Sequence, residues 1–224
     1  MTVLRKGWRA LPREGGLGLV ILALLAWLPS GCGQREGPPR QAQVVRVVSG
    51  DSAVLAGGAR VRLAGVDAPE MERDGRPAQF LANRARDYLA ELVLGKTVRL
   101  EYDRERYDLY GRLLAYLSLP DGVMVNAALV RQGLARVHLH PPNVRHRETL
   151  VTAQQEAMAA GCGLWRQPLP PQDEDYYLGN RNNLLVHRPG CPLAAKGHTA
   201  DRVRFDALME AYRQGYSPCR VCQP

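Results

Sequence analysis

Apolar and polar positions along this chain alternate between a strand period and a helix period. Val44, Val45, Val47 and Val48 form a β-branched run interrupted only by Arg46. Ser49-Gly50-Asp51 then turns the chain into a second apolar block, Ser52-Ala53-Val54-Leu55, closed by Gly57 and Gly58. Short β-branched blocks between turn residues read as hairpin-joined strands. A third strand is expected over 60–66, stopped by Pro69, which has no ladder donor and biases Ala68 towards extended or turn backbone. Leu81, Ala85, Tyr88 or Leu89, and Leu92 recur every three or four residues, with Pro77 suited to a first turn and Gly95 as a stop, so 77–94 reads as an amphipathic helix with a basic outer face. Strict alternation returns over 97–103, with Val98, Leu100 and Tyr102 on one side and Arg99, Glu101 and Asp103 on the other. Another strand is expected over 113–119. After the turn Pro120-Asp121-Gly122 come a short helix over 125–132 closed by Gly133, a strand over 134–139 and a helix over about 145–160.

These elements, six short strands and three helices, predict an α+β fold whose core is a five-stranded Greek-key barrel of the OB type with about three helices. Barrels of that type bind oligonucleotides on one face. Periodicity alone does not separate it from other α+β barrels. Asp51 and Asp67 fall near the ends of strands that should be neighbours in one sheet.

Composition adds a compartment. Residues 1–32 are not part of the fold: Arg5, Lys6, Arg9 and Arg13 precede a twelve-residue apolar run over 17–28, followed by Pro29-Ser30-Gly31-Cys32. That layout is a secretory signal, and the run is shorter than the roughly 20 residues a membrane-spanning helix needs. Small residues before a cysteine resemble a bacterial lipobox, which would make Cys32 a lipidation site and give the protein a lipid anchor in the cell envelope. The family's usual leucine three residues before the cysteine is replaced by Pro29, so a cleaved soluble export signal and an uncleaved anchor remain alternatives. The whole chain has 30 Lys+Arg against 22 Asp+Glu, a net +8. Without residues 1–32 it has 26 basic and 21 acidic residues, a net +5. An excess of that size points to an anionic partner such as nucleic acid or an anionic lipid surface, with a merely solvated basic surface as the plain alternative. Residues 33–42, rich in Gly, Pro and charge, read as a flexible tether.

The chemistry concentrates in Arg62-Leu63-Ala64-Gly65-Val66-Asp67-Ala68-Pro69-Glu70. Carboxylates at the end of an apolar strand are costly unless a cation or hydrogen bonds compensate them. Taken singly, Asp51, Asp67 and Arg112 could be a turn residue, a turn cap and a surface ion-pair partner. Four segments together argue otherwise: Val47-Val48-Ser49-Gly50-Asp51-Ser52; Val61-Arg62 through Glu70; Asp108-Leu109-Tyr110-Gly111-Arg112; and Val125-Asn126-Ala127-Ala128-Leu129-Val130-Arg131-Gln132-Gly133-Leu134-Ala135. Over residues 43–165 the chain resembles the staphylococcal nuclease (thermonuclease) family. The resemblance implies a calcium-dependent phosphodiesterase in which Asp51 and Asp67 ligate Ca²⁺, Ala68 lends its backbone carbonyl, Glu70 is the general base, and Arg62 and Arg112 hold the phosphate. The set is chemically coherent, since a hard oxygen-ligated cation and two guanidinium groups neutralise a phosphodiester and its more highly charged transition state. Two departures stand out. Ser49 occupies a place where the family commonly has another acid, and around Val137-His138-Leu139-His140 the base-packing tyrosines are missing. His138 and His140, on one face of a strand, read as partly buried histidines, with base stacking as the alternative.

A linker over 166–178, with Pro168, Pro170 and Pro171, precedes a segment of 46 residues, 179–224. That size needs a staple. His187 and Cys191, then the Cys219-Arg220-Val221-Cys222 pair, supply the ligand inventory of a tetrahedral zinc site. The segment resembles the Ada-type metal-binding domain of bacterial DNA-repair proteins, with a histidine replacing one cysteine. In an exported protein, Cys162, Cys191, Cys219 and Cys222 could instead pair as disulfides in three ways. Zinc is preferred because a Cys-x-x-Cys disulfide closes too small a loop to staple a domain. Arg181, Arg188, Lys196, Arg202, Arg204, Arg213 and Arg220 offer contacts to a nucleic-acid backbone. The expectation is an exported, monomeric nuclease acting on DNA and/or RNA, with a structural metal module. The alternative is a non-catalytic, nucleic-acid-binding surface lipoprotein.

Overall fold

The computed structural model describes residues 37–167, 174–196 and 198–224. The export signal over 1–32, with Cys32, lies outside the described residues, as do the start of the tether and the centre of the linker.

β1 (Gln41–Ser49), β2 (Ser52–Leu55) and β3 (Arg60–Leu63) form an antiparallel meander in which Val47 faces Ala53 and Ser52 faces Arg62. The third apolar block does not continue as one strand. It breaks at Ala64-Gly65 and resumes as a separate short strand, β4 (Val66–Asp67). Gly65 has φ +75°, and a Cβ there would meet Leu150 Cδ1 at 2.5 Å, so the break requires glycine. The buried Asn126 side chain holds the break from below: Nδ2 donates to the Ala64 carbonyl (2.8 Å) and Oδ1 accepts from the Leu117 N–H (2.9 Å).

The helix α1 (Ala82–Val93) starts later than the Pro77 expected from periodicity. Gln79 is committed elsewhere: its N–H donates to the Glu70 carbonyl and its Oε1 accepts from the Glu70 N–H, both at 2.9 Å. Leu81 then sits at φ 66°, outside the helix. β5 (Thr97–Glu101) and β6 (Leu113–Ser118) start where expected, β5 ending two residues before the expected 103 and β6 one before 119. β6 lies parallel to β3, and β5 returns to β1, closing a barrel of order β1-β2-β3-β6-β5. α2 (Val125–Arg131), β7 (Arg136–Val137) and α3 (Arg147–Ala159) complete it, with β7 paired to β4. The fold is α+β, an OB-type barrel with three helices on it.

The C-terminal residues form a four-stranded sheet of order β10-β8-β9-β11, from β8 (Tyr177–Asn180), β9 (Leu185–His187), β10 (Arg202–Phe205) and β11 (Ser217–Pro218), with α4 (Leu208–Arg213) between the last two. This sheet shares one apolar core with the barrel, in which Leu139, Leu150, Ala153 and Trp165 join Val186, Phe205, Ala211 and Tyr212. Trp165 and Tyr212 have ring centroids 5.7 Å apart. Gln154, fully buried on α3, ties the two parts together: Oε1 accepts from the Val137 N–H (2.8 Å) and Nε2 donates to the Tyr212 carbonyl (2.6 Å). Ser217 Oγ adds a bond to the Val137 carbonyl (3.0 Å). A buried polar side chain fully paired across such a contact fixes its register, because slippage would leave the amide unpaired.

Candidate active site

The β1–β2 turn places Asp51 directly before Ser52, which faces Arg62 across the ladder. The register therefore brings the two charges together, and the Asp51 carboxylate forms an ion pair with Arg62. Gly50 permits the approach, since a Cβ there would meet Ala85 Cβ at 2.6 Å and Ala68 Cβ at 2.7 Å. Asp51 is buried and fully compensated. Its Oδ1 accepts from the Ser49 and Ser52 hydroxyls and its Oδ2 from the Ala68 N–H, each at 2.9 Å. Burial pushes this carboxyl up, but Arg62, the Ala68 N–H and the Ser52 hydroxyl outweigh it and hold the group below the usual carboxylate value. Arg62 Nη2 also donates to Asp67 Oδ1 at 2.7 Å, so one guanidinium bridges both carboxylates. Ser49, which replaces an acid expected by resemblance, thus serves as a donor that orients Asp51.

Arg112 immediately precedes Leu113, which is in register with Val61, so it stands at the same edge of the barrel as β3. Asp108 holds it: Nε donates to Asp108 Oδ2 (2.6 Å), and the backbone N–H groups of Tyr110 and Arg112 donate to Oδ1 (2.9 Å each). The Arg112 guanidinium lies 5.5 Å from the centroid of the exposed Tyr110 ring. Glu70 is exposed on the loop after β4, fixed through its backbone by Gln79. Two carboxylates bridged by an arginine suit a hard, oxygen-ligated divalent cation, because both already point at one positive centre. Ala68 lies at the same place, with its N–H on Asp51.

His138 is half-buried and His140 exposed. The His138 N–H donates to the Gly65 carbonyl (2.9 Å), bringing this residue beside the carboxylates. Burial, Arg62 and Arg220 hold His138 below its usual value against the pull of Asp67. A cleft of about 340 Å³ opens here, lined in part by Asp67, Gln79, Phe80, Arg136, His138 and Arg220. By sequence Arg220 is only one of several basic residues of the C-terminal segment. In the structure its Nη2 lies 3.2 Å from Asp67 Oδ1. Nothing in the sequence placed it there, since 153 residues separate the two.

The second constellation is His187, Cys191, Cys219 and Cys222, whose ligand atoms all lie within 4.8 Å of one another. The parallel pairing of β9 with β11 brings His187 and Cys219 together, the Cys219 N–H donating to the Val186 carbonyl at 2.9 Å. The Val221 N–H approaches Cys219 Sγ and the Arg188 N–H approaches Cys222 Sγ, each at 3.4 Å. His187 is buried with neither ring nitrogen hydrogen-bonded, and burial holds it below its usual value. An imidazole orphaned in this way among three thiols fits a tetrahedral N/S-ligated metal. Cys162 lies apart, after α3, as a free thiol.

The family model of staphylococcal nuclease homologues matches residues 60–167. The chain is similar to the thermonuclease of Staphylococcus intermedius, 39% identical over 127 residues, which is 55% of this chain and 75% of that protein. It is 34% identical to the thermonuclease of Staphylococcus hyicus over 126 residues, 55% of this chain and 74% of that protein. An uncharacterized endonuclease of Escherichia coli is 33% identical over 157 residues, 68% of this chain and 92% of that protein. The chain belongs to the staphylococcal nuclease homologue family. The family match ends before β8, so the Cys/His cluster and Arg220 lie beyond it.

Proposed function

We propose that this protein is an exported nuclease that hydrolyses phosphodiester bonds of DNA and/or RNA with the help of a divalent cation, Ca²⁺ by family resemblance. The observation that carries the reading is the bridge Asp51–Arg62–Asp67 at the barrel edge, with Arg112 braced nearby by Asp108. Asp51, Asp67 and the Ala68 carbonyl are the oxygens that would hold the cation, which when bound supplies positive charge against the phosphate. Arg62 and Arg112 hold the non-bridging phosphate oxygens, spreading the charge that develops as phosphorus becomes five-coordinate. Glu70 takes a proton from a water as its oxygen attacks phosphorus. The opposite P–O bond breaks, and its oxygen leaves with the bonding electron pair and gains a proton from solvent. The exposed Glu70 loop suits this role, because the base must meet both solvent and substrate.

Residues 1–32 serve as the export signal in this reading, with 43–165 as the nuclease domain and 179–224 as a zinc-stapled unit of the same monomer. Mass spectrometry of the mature N-terminus tests acylation of Cys32. Release of acid-soluble nucleotides from DNA and RNA, with calcium supplied or withheld, tests the activity. Glu70→Gln and Arg112→Ala should each lower the rate by about 10²–10⁴ while oligonucleotide binding persists. Full activity in Glu70→Gln overturns the base assignment. Binding without any cleavage by the wild type favours the non-catalytic surface lipoprotein.

A further inference from the structure

Residues 217–222 run from the barrel to the Cys/His cluster and back to the carboxylates in six positions. Ser217 Oγ bonds the Val137 carbonyl, Cys219 joins the cluster, Arg220 meets Asp67, and Cys222 returns to the cluster. Arg220 is therefore clamped between two cluster cysteines. The Val221 N–H to Cys219 Sγ contact and a 2.9 Å bond from the Gln223 N–H to the Cys219 carbonyl shape a tight knuckle around it. A metal ligated by both cysteines would fix the direction in which this arginine leaves the backbone.

Charge indicates what the arginine is for. Arg62 Nη2 and Arg220 Nη2 both reach the same oxygen, Asp67 Oδ1, at 2.7 and 3.2 Å. Asp51 and Asp67 against Arg62 and Arg220 sum to zero, so a divalent cation joining them would leave the group at about +2, suited to polyanion. Arg220 is 69% exposed and engages Asp67 through one nitrogen of a five-donor fork. It also lines the cleft with Arg136, on the side of the barrel where Gln79 and Phe80 rise from the Glu70 loop. We propose that Arg220 is a substrate-backbone contact, supplied to the active site from outside the family domain, and that the metal-closed Cys219–Cys222 knuckle holds it over the cleft. Its ligand class is the phosphodiester next to the one being cleaved. The inference rests on the nuclease reading for what happens to the substrate, but not for the contact itself.

The test is equilibrium binding of a fluorescent single-stranded oligonucleotide to the full chain, with calcium withheld, across a range of salt concentrations. Arg220→Ala should weaken binding about tenfold and lower the slope of log affinity against log salt by about 0.7, the loss of one phosphate contact. Its melting temperature and zinc content should stay at wild-type values. Arg220→Lys should restore most of the slope. Cys222→Ser should lose zinc and reproduce the Arg220→Ala affinity, and combining the two should add nothing further. If Arg220→Ala leaves affinity and slope unchanged, the proposal falls. It falls equally if that variant's only effect is activity at lower calcium, the mark of an arginine that merely blocks Asp67. A wild type that never cleaves, but whose binding depends on Arg220 in this way, refutes the nuclease reading and leaves the contact standing.

Discussion

The barrel cluster and the Cys/His cluster both gather metal-ligating side chains, but they differ in how much the protein has already done for them. At Asp51 every buried oxygen has donors, and Arg62 cancels the charge that burial would otherwise penalise. At His187 both ring nitrogens are buried without a hydrogen bond, in a cluster with three thiols whose ligand atoms all lie within 4.8 Å of one another. The first site has its charge balanced within the protein, while the second leaves a buried imidazole unpaired. A hard site serving a reaction must bind and release substrate and so is built self-sufficient, whereas a soft site can leave its compensation to the metal it keeps. The same division predicts that calcium governs rate and zinc governs folding.

The largest effect expected from that division is therefore on the soft side. Cys219→Ser removes a fully buried thiol of the Cys/His cluster and, if zinc closes that cluster, should cost ~4 kcal/mol, a fall in melting temperature of about 10 °C by calorimetry, together with loss of bound zinc. Withholding calcium from the wild type should abolish cleavage and barely move the same transition. A melting temperature that tracks calcium rather than zinc would break the comparison.

Next comes the charge bridge. Arg62→Ala leaves Asp51 buried without its counter-charge and should destabilise the fold by ~3 kcal/mol in urea unfolding, beyond its effect on activity. The pH dependence follows from the sign of the shift. Asp51 is held below its unfolded value, so its contribution is complete above about pH 4 and is lost as pH falls through the lower folded value. Without Arg62, burial is opposed only by the Ala68 N–H and the serine hydroxyls, so the folded value moves up towards or past the unfolded one. The acid limb of Arg62→Ala should then be flattened or reversed relative to the wild type. Matching acid limbs in the two proteins would show that the bridge carries no such linkage.

The strands and helices were largely legible in the sequence from their own periods, and Asp51 and Asp67 could be placed together because they fall near the ends of neighbouring strands, but the choice of barrel and the place of Arg62 in the site came from family resemblance. Two features were not legible. The break at Ala64-Gly65 leaves the apolar period intact and depends on Asn126, 62 residues away. The docking of 174–224 depends on pairings such as Gln154 with Tyr212, and Arg220 reaches Asp67 only through that docking. Gln154 did offer a signal, as an amide at helical spacing from Leu150, Ala153 and Ala157 on a face that is otherwise apolar. An amide kept there needs a partner from another part of the chain. The Cys/His cluster was readable for the opposite reason: its spacing is local at each end, and only the closure between the ends is long-range.

The smallest effect bears most directly on what makes the barrel site self-sufficient. Ser49 and Ser52 donate to the same oxygen of Asp51, so Ser49→Ala removes one of two redundant donors and should cost only ~1 kcal/mol. Ser49→Asp is the informative partner, because it restores the acid that the family resemblance leads one to expect there. A second carboxylate beside a buried one should destabilise the calcium-free protein by about the same amount, while lowering the calcium concentration needed for half-maximal cleavage. The two variants thus test whether Ser49 trades calcium affinity for a site that is stable without its cation. If Ser49→Asp instead left both calcium-free stability and calcium requirement unchanged, the hydroxyl would be an incidental neighbour of Asp51, and the self-sufficiency of the site would rest on Arg62, Ser52 and the Ala68 N–H alone.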